Sequence, residues 1–370
     1  MITVPIITYL LAPAELGKYF YILSLTSIMV PMFILNLADG PVLHFVQEND
    51  ILKIKRMYYT VQNTTIISLF FFNVVLLLIS HFIDLKFSDY IGYVILIILC
   101  QSIFKITSYL LVVYQKTDIL IRYSFTKEII SFVIGILLLI AGIGIRGLMV
   151  GIILTDVVAG MLIGLKIYKE IGYEPIIDTK YLVKFLKISI PLLPVFFFSW
   201  IMLALDTFLL MYLQGAYSVG IYNIAYSLSS IILTVTFALN FFWFPVSAKM
   251  WGESREKYKK LFKVLFSVAS VLLLCMVVLF ELNAEFILKF LVKNTEYYAA
   301  KPIIGIISFA MAMRVLITLL TAPLYSNKNS FMIFLTNFVG AFVTVILDIL
   351  LIPKYGISGA AITTAISYFL

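Results

Sequence analysis

Charge is missing from long stretches of this chain. Between Arg56 and Asp84 lie 27 residues without a charged side chain, and between Asp206 and Lys249 lie 42. A helix needs about 20 apolar residues to cross the hydrocarbon core of a bilayer, so the first window is one span and the second holds the end of one span and a whole other. Composition agrees: of 370 residues, 63% are apolar and 12% charged, against about 45–50% and about 25% in soluble domains. Stretches such as 66–79 show no alternation of polar and apolar residues, which argues against the strands of a membrane barrel. A backbone in lipid must then satisfy its own hydrogen bonds as helices.

Charge-free windows and turn residues together predict twelve spans, at 1–12, 18–38, 60–81, 91–113, 129–145, 147–165, 188–213, 219–243, 264–281, 302–322, 331–351 and 357–370. The first and last are too short to cross unaided, so both ends are expected to be incomplete. Met1 is not expected to open a signal peptide, because no basic segment precedes the apolar run. The net charge of +8 does not point to nucleic acid, since the basic residues sit in short segments between spans, where they orient the chain and meet anionic lipid. Of the 27 Lys and Arg residues, eighteen fall in the segments after spans 2, 4, 6, 8 and 10 and seven in the alternate ones, so the former are expected to be cytoplasmic. The remaining two, Lys105 and Arg314, lie inside spans.

An internal repeat organises the spans. Gly17-Lys-Tyr-Phe-Tyr-Ile-Leu-Ser-Leu-Thr-Ser-Ile28 matches Gly220-Ile-Tyr-Asn-Ile-Ala-Tyr-Ser-Leu-Ser-Ser-Ile231 at six of twelve positions. Pro41-Val42 recurs as Pro245-Val246, and Gly144-Ile-Arg-Gly147 as Gly356-Ile-Ser-Gly359. Six spans separate each pair, an even number, so the two halves run the same way through the membrane. The expected architecture is all-α: two parallel-repeat six-helix bundles, 1–170 and 188–370, joined by a basic cytoplasmic linker at 171–187 and facing each other across a central cavity.

Neither a phosphate-cradling Gly-x-x-x-x-Gly-Lys loop nor a Gly-x-Ser-x-Gly nor a His-Glu-x-x-His motif occurs, so the chain reads as no enzyme and calls for no cofactor. Cys100 and Cys275 read as apolar fillers, and His44 and His81 have no second ligand at useful spacing, so no metal site is expected. What remains are ionisable residues at membrane depth, each costing about 2.5–3.5 kcal/mol on insertion scales, which therefore face a wet cavity or a partner. Lys105, with Gln101 and Ser108, forms an i, i+4, i+7 stripe on span 4. Arg314, with Thr318 and Thr321, repeats it on span 10, the repeat partner of span 4. Two such cations suit phosphate, whose oxygens accept charge-assisted hydrogen bonds, although a snorkelling Lys105 would serve structure alone. Asp206 and Asp156 are candidates either for ion coupling or for neutralising a nearby cation. Asp348 is expected near an interface. Asn223, Ser227, Ser230 and Thr234 form a polar stripe on span 8 that would line a lumen or join helices.

The segment Leu351-Ile-Pro-Lys-Tyr-Gly-Ile-Ser-Gly-Ala-Ala-Ile-Thr-Thr-Ala-Ile-Ser-Tyr368 resembles the signature before the last helix of the oligosaccharide flippases, the Wzx-type polysaccharide transporters of the multidrug/oligosaccharidyl-lipid/polysaccharide export superfamily. Leu11-Ala-Pro-Ala-Glu-Leu-Gly-Lys-Tyr19 is similar to that family's loop after the first helix, and Pro191 to Asp206 followed by Val219-Gly-Ile-Tyr-Asn-Ile-Ala-Tyr226 to its seventh-helix region. The family often follows that acid with arginine, whereas here Thr207 follows Asp206. The resemblance implies twelve or fourteen helices and alternating access. It also implies movement of undecaprenyl-pyrophosphate-linked oligosaccharide across a prokaryotic plasma membrane for O-antigen or other surface polysaccharide, with a polymerase and chain-length machinery as partners. The rival readings are a proton- or sodium-coupled drug or metabolite exporter of the same superfamily, a peptidoglycan-precursor or teichoic-acid exporter, and a non-transporting scaffold.

Overall fold

The computed structural model describes residues 3–38, 50–82, 88–113, 117–326 and 330–370. These fold as helices in the expected order: α1 (Thr3–Leu10), α2 (Pro13–Phe33), α3 (Ile51–Phe82), α4 (Ile91–Val113), α5 (Thr117–Leu138), α6 (Ile145–Ile171), α7 (Thr179–Leu213), α8 (Ala216–Ser229), α9 (Arg255–Leu282), α10 (Lys301–Ser326), α11 (Ser330–Tyr355) and α12 (Ile357–Phe369). Among the described residues, ten helices are long and apolar enough to cross a membrane, with the short apolar α12 beside them. α8 does not end at Ser229. It continues through a 3-10 turn, a short α-helix and a π turn into a further helix, Phe244–Glu253, and such mid-helix departures from α geometry mark hinges or strain.

Four helices start well before their uncharged windows, among them α5, which was expected from 129 and begins at Thr117. α3, α7 and α9 were expected from 60, 188 and 264 and begin at Ile51, Thr179 and Arg255. Each of these three opens on a polar residue that caps it. The Asp50 carboxylate accepts from Leu52 N at 2.9 Å, the Asp178 carboxylate from Lys180 N at 2.9 Å, and the Ser254 hydroxyl from Lys257 N at 3.4 Å. Such caps satisfy the orphan N–H groups of a first turn, so the helix begins where the cap is and not where the lipid begins. The basic residues therefore ride on helical ends.

Close contacts divide the chain into two compact units, residues 22–197 and residues 1–21 with 198–370. In the first, α6 packs on both α4 and α5; in the second, α12 packs on both α10 and α11. The same pairing in each is what a parallel repeat requires. The α5–α6 and α11–α12 corners match in detail: Gly144 has φ 65° and ψ −151°, and Gly356 φ 56° and ψ −129°, a region essentially reserved for glycine.

The expected linker is built into the 22–197 unit. Residues 172–178 lie along α3, where Tyr59 Oη donates to Gly172 O at 2.7 Å, Asn63 Nδ2 to Ile176 O at 3.0 Å, and Asp178 N to Thr60 Oγ1 at 3.0 Å. Lys55 and Arg56 each stand 3.9 Å from Glu174. Phe185, in the first turns of α7, is fully buried in the same cluster as Tyr58 and Tyr59.

In the other unit, α2 and α8 cross through a reciprocal glycine contact. A Cβ at Gly17 would strike the Ala216 carbonyl, and one at Gly220 would strike the Pro13 carbonyl. Both pairs are one helical turn apart and related by the repeat offset, so this is a local two-fold made from one motif used twice. Small residues let helix backbones meet this closely.

Candidate functional site

In the 22–197 unit the helices α4, α5 and α6 enclose a cavity of about 410 Å³ lined by Gln101, Phe104, Lys105, Ser108, Tyr109, Leu120, Lys127 and Asp156, with Val30 and Ala38 closing one wall. The predicted stripe on α4 thus faces a cavity, and Asp156 on α6 joins it. Ser108 donates to the Phe104 carbonyl of its own helix, which leaves its lone pairs toward the space. Beside Ala38, Leu35 and Asn36 both take left-handed backbone conformations, φ 53° and 51°, and the buried Asn36 amide has no hydrogen-bond partner among the described residues. Non-glycine residues persist in such conformations only where the surroundings over-determine them.

Asp156 is not a lone acid. Its Oδ1 lies 2.7 Å from Lys127 Nζ, while its Oδ2 has no partner among the described residues and the side chain is fully buried. The Lys127 ammonium also reaches Glu128 at 3.0 Å and lies 4.6 Å from the centroid of the Phe104 ring. Lys127 was expected in a cytoplasmic loop. It lies instead on α5, whose helix begins at Thr117, and its side chain is only 12% exposed. A signal for this pairing was present: Lys127 and Asp156 sit at nearly equal distances along the chain from the Gly142–Gly144 corner, and an antiparallel hairpin brings such residues opposite each other.

The other unit holds a second polar centre, built from residues one turn apart on four helices. Asp206 on α7 accepts a hydrogen bond from the Tyr222 hydroxyl of α8, from Thr207 N at 2.6 Å and from Thr364 Oγ1 of α12 at 3.3 Å. Tyr222 and Thr364 also meet at 3.1 Å. One turn along, Arg314 Nη1 on α10 donates to Tyr226 Oη at 3.5 Å and its guanidinium stands 5.9 Å from the centroid of the Tyr368 ring, whose hydroxyl donates to Met202 O at 3.3 Å. Tyr222 thus meets the acid, and Tyr226 and Tyr368 meet the arginine. Thr318 and Thr321 direct their hydroxyls back to their own helix, at Arg314 O and Thr318 O. Asn223 of the α8 stripe donates to Thr207 Oγ1 at 3.2 Å, and Ser230 and Thr234 bond back to their own chain, so these residues join helices and turns.

Asp348, expected near an interface, is a buried acid in this structure. It is fully buried in α11, neither carboxylate oxygen has a hydrogen-bond partner among the described residues, and it lies within electrostatic range of Asp206. Its helix runs on to Tyr355. The hydroxyl of Thr363, on the neighbouring α12, is likewise buried without a partner among the described residues. Neither Tyr222 nor Thr364 stood out in the sequence, because tyrosine and threonine are common in spans and only contact with Asp206 distinguishes these two. His44 lies outside the described residues. His81 is exposed at the end of α3, and among the described residues no group of three or more metal-binding side chains occurs.

Ten helices long and apolar enough to cross a membrane among the described residues, packed in the same way in both units around buried polar centres, define a multi-pass helical membrane protein. The structure is similar along its whole length to lipid II flippase MurJ in an inward closed conformation, with a TM-score of 0.72 at 16% identity over 82% of that chain. It is also similar to an inward-facing multidrug resistance MATE family transporter of the MOP superfamily, at 0.75 and 12% over 91% of that chain. A third likeness, at 0.60 and 12% over 88%, is to a Pyrococcus furiosus MOP superfamily transporter described by the reverse polarity of its binding pocket. The family model for polysaccharide biosynthesis protein matches residues 6–295, and this chain belongs to that family. An uncharacterized membrane protein of Methanocaldococcus jannaschii is 28% identical over 228 residues, which are 58% of this chain and 43% of that protein, so the chain spans under half the length of this curated relative.

Proposed function

We propose that this protein is a flippase that carries lipid-linked oligosaccharide, with an undecaprenyl-pyrophosphate anchor, across a prokaryotic plasma membrane for surface polysaccharide synthesis. The observation that carries the reading is the cavity in the 22–197 unit, where Lys105 and Gln101 stand on one face of α4 at membrane depth. An ammonium lining a cavity beside amide and hydroxyl groups is a site for phosphate oxygens. The lipid tail stays in the bilayer while the head group enters the cavity. Membership of the polysaccharide biosynthesis family supports the cargo class. Arg314, with Thr318 one turn on, is the corresponding cation of the second unit, held by Tyr226 and Tyr368.

Alternating access needs a ligand or ion that binds the two states unequally, since equal affinity shifts nothing. We assign that part to Asp206 together with Asp348. Two carboxylates buried within range of each other cannot both stay charged at low cost, and uptake of a proton or sodium ion relieves them. Polymerase and chain-length proteins are the partners this cargo calls for.

The test is leaflet translocation of a labelled undecaprenyl-pyrophosphate oligosaccharide in proteoliposomes. Wild type is expected to flip the lipid, and Lys105→Gln and Arg314→Gln each to slow it at least about tenfold, the size of one lost charge-assisted hydrogen bond. Absence of flipping by wild type, with efflux of cationic dyes in its place, would overturn the reading in favour of a drug exporter.

A further inference from the structure

We propose that Lys127 is a second phosphate ligand of the α4–α6 cavity and that Asp156 is its displaceable counter-charge, which sets how tightly the head group is held. This rests on the reading that the cavity takes a phosphate.

Lys127 and Lys105 line the same cavity from different helices, so the cavity wall carries two cations. Lys127 is held at the wall from two sides, by Asp156 Oδ1 at 2.7 Å and by the face of Phe104 at 4.6 Å, and Phe104 is itself a lining residue. An ammonium carries three N–H donors. Asp156 takes one and Glu128 another, which leaves one for a first phosphate contact before the ligand competes with Asp156 for the ammonium. Glu128 is largely solvent-exposed and contributes little. Asp156 is fully buried, faces the cavity, and has its second oxygen without a partner among the described residues.

A pair built for stability alone would satisfy both carboxylate oxygens, because a half-satisfied buried charge is costly. The arrangement here does something else. It keeps Lys127 charged and positioned in an empty site, and it places a negative charge where an anionic head group must compete with it. That competition lowers affinity. A carrier that must release its cargo on the far side works better with a ligand held moderately than with one held tightly.

The test is a double-mutant cycle on binding of undecaprenyl pyrophosphate, without glycan, to protein in nanodiscs, with thermal unfolding recorded for each variant. Lys127→Gln is expected to weaken binding about tenfold. Asp156→Asn is expected to tighten it about tenfold and to slow translocation, since the ammonium is then uncompensated. In the double variant the Asp156→Asn gain should vanish, leaving the affinity of Lys127→Gln. Because removing one member of a buried pair destabilises a fold, the isosteric Lys127→Met, Asp156→Leu variant provides a well-folded check, and it too should bind like Lys127→Gln. If Asp156→Asn leaves affinity unchanged or weakens it, or if the neutral double variant binds like wild type, the pair is structural and the proposal fails. Should wild type bind while Lys105→Gln weakens binding and the Lys127 and Asp156 variants do not matter, only this inference is lost. No binding by wild type overturns the flippase reading as well.

Discussion

Asp206 stood out because a carboxylate in an apolar run is conspicuous, but what makes it tolerable was hidden. A buried charge needs donors, and its donors are a tyrosine sixteen residues on and a threonine on the last helix. Tyr222→Phe removes the shorter of these bonds and leaves the carboxylate less satisfied, which should cost about 1–3 kcal/mol. Asp206→Asn should cost less in stability, because an amide needs less solvation than a carboxylate, yet it should abolish ion dependence of transport. Thermal unfolding in detergent separates the two: if Tyr222→Phe unfolds at the wild-type temperature, the hydrogen bond does not hold the acid. The same limit explains Lys127 and Asp348. Their charges were visible, but burial was judged from distance to the nearest charged loop, and that measure fails where a helix runs past the uncharged window.

Helices are set here by two devices of different legibility. The corner glycines could be found in the sequence, because Gly144-Ile-Arg-Gly147 recurs as Gly356-Ile-Ser-Gly359, and both corners adopt backbone angles that a side chain resists. Gly356→Ala should lower stability by about 1–3 kcal/mol. Gly220→Ala acts by another route, since its Cβ would meet the Pro13 carbonyl and force α2 and α8 apart, at about 1–3 kcal/mol for an overpacked contact. The twelve-residue match flagged Gly17 and Gly220 as repeated, and only the structure shows that they touch the partner's helix start. The strap at 172–178 was illegible, because backbone carbonyls accept from Tyr59 and Asn63 and carry no sequence signature. Tyr59→Phe with Asn63→Ala should open this strap and raise the rate of protease cleavage there several-fold; unchanged cleavage would mean that the apolar cluster around Phe185 holds it alone.

For the whole molecule, the number of crossings and the direction of the chain are linked, and one labelling experiment checks both. The excess of Lys and Arg after even-numbered spans predicts that those segments are cytoplasmic. On that orientation Lys259, near the start of α9, is inside, while Lys293, after α9 and the short helix Ala284–Leu291 that follows it, and Lys354, at the end of α11, are outside. All three are exposed. In a background without Cys100 and Cys275, cysteines at 293 and 354 should react with a membrane-impermeant maleimide in intact cells, and one at 259 only after permeabilisation. The pairing of outcomes carries more than each alone. Residues 293 and 354 are separated by α10 and α11, so they must share a side if both helices cross, and 259 must lie opposite 293 if α9 crosses. A reversed but consistent pattern would keep the helices and refute the charge-based orientation. Sites 293 and 354 on opposite sides would refute the crossings themselves, and with them the even spacing that makes the two halves parallel.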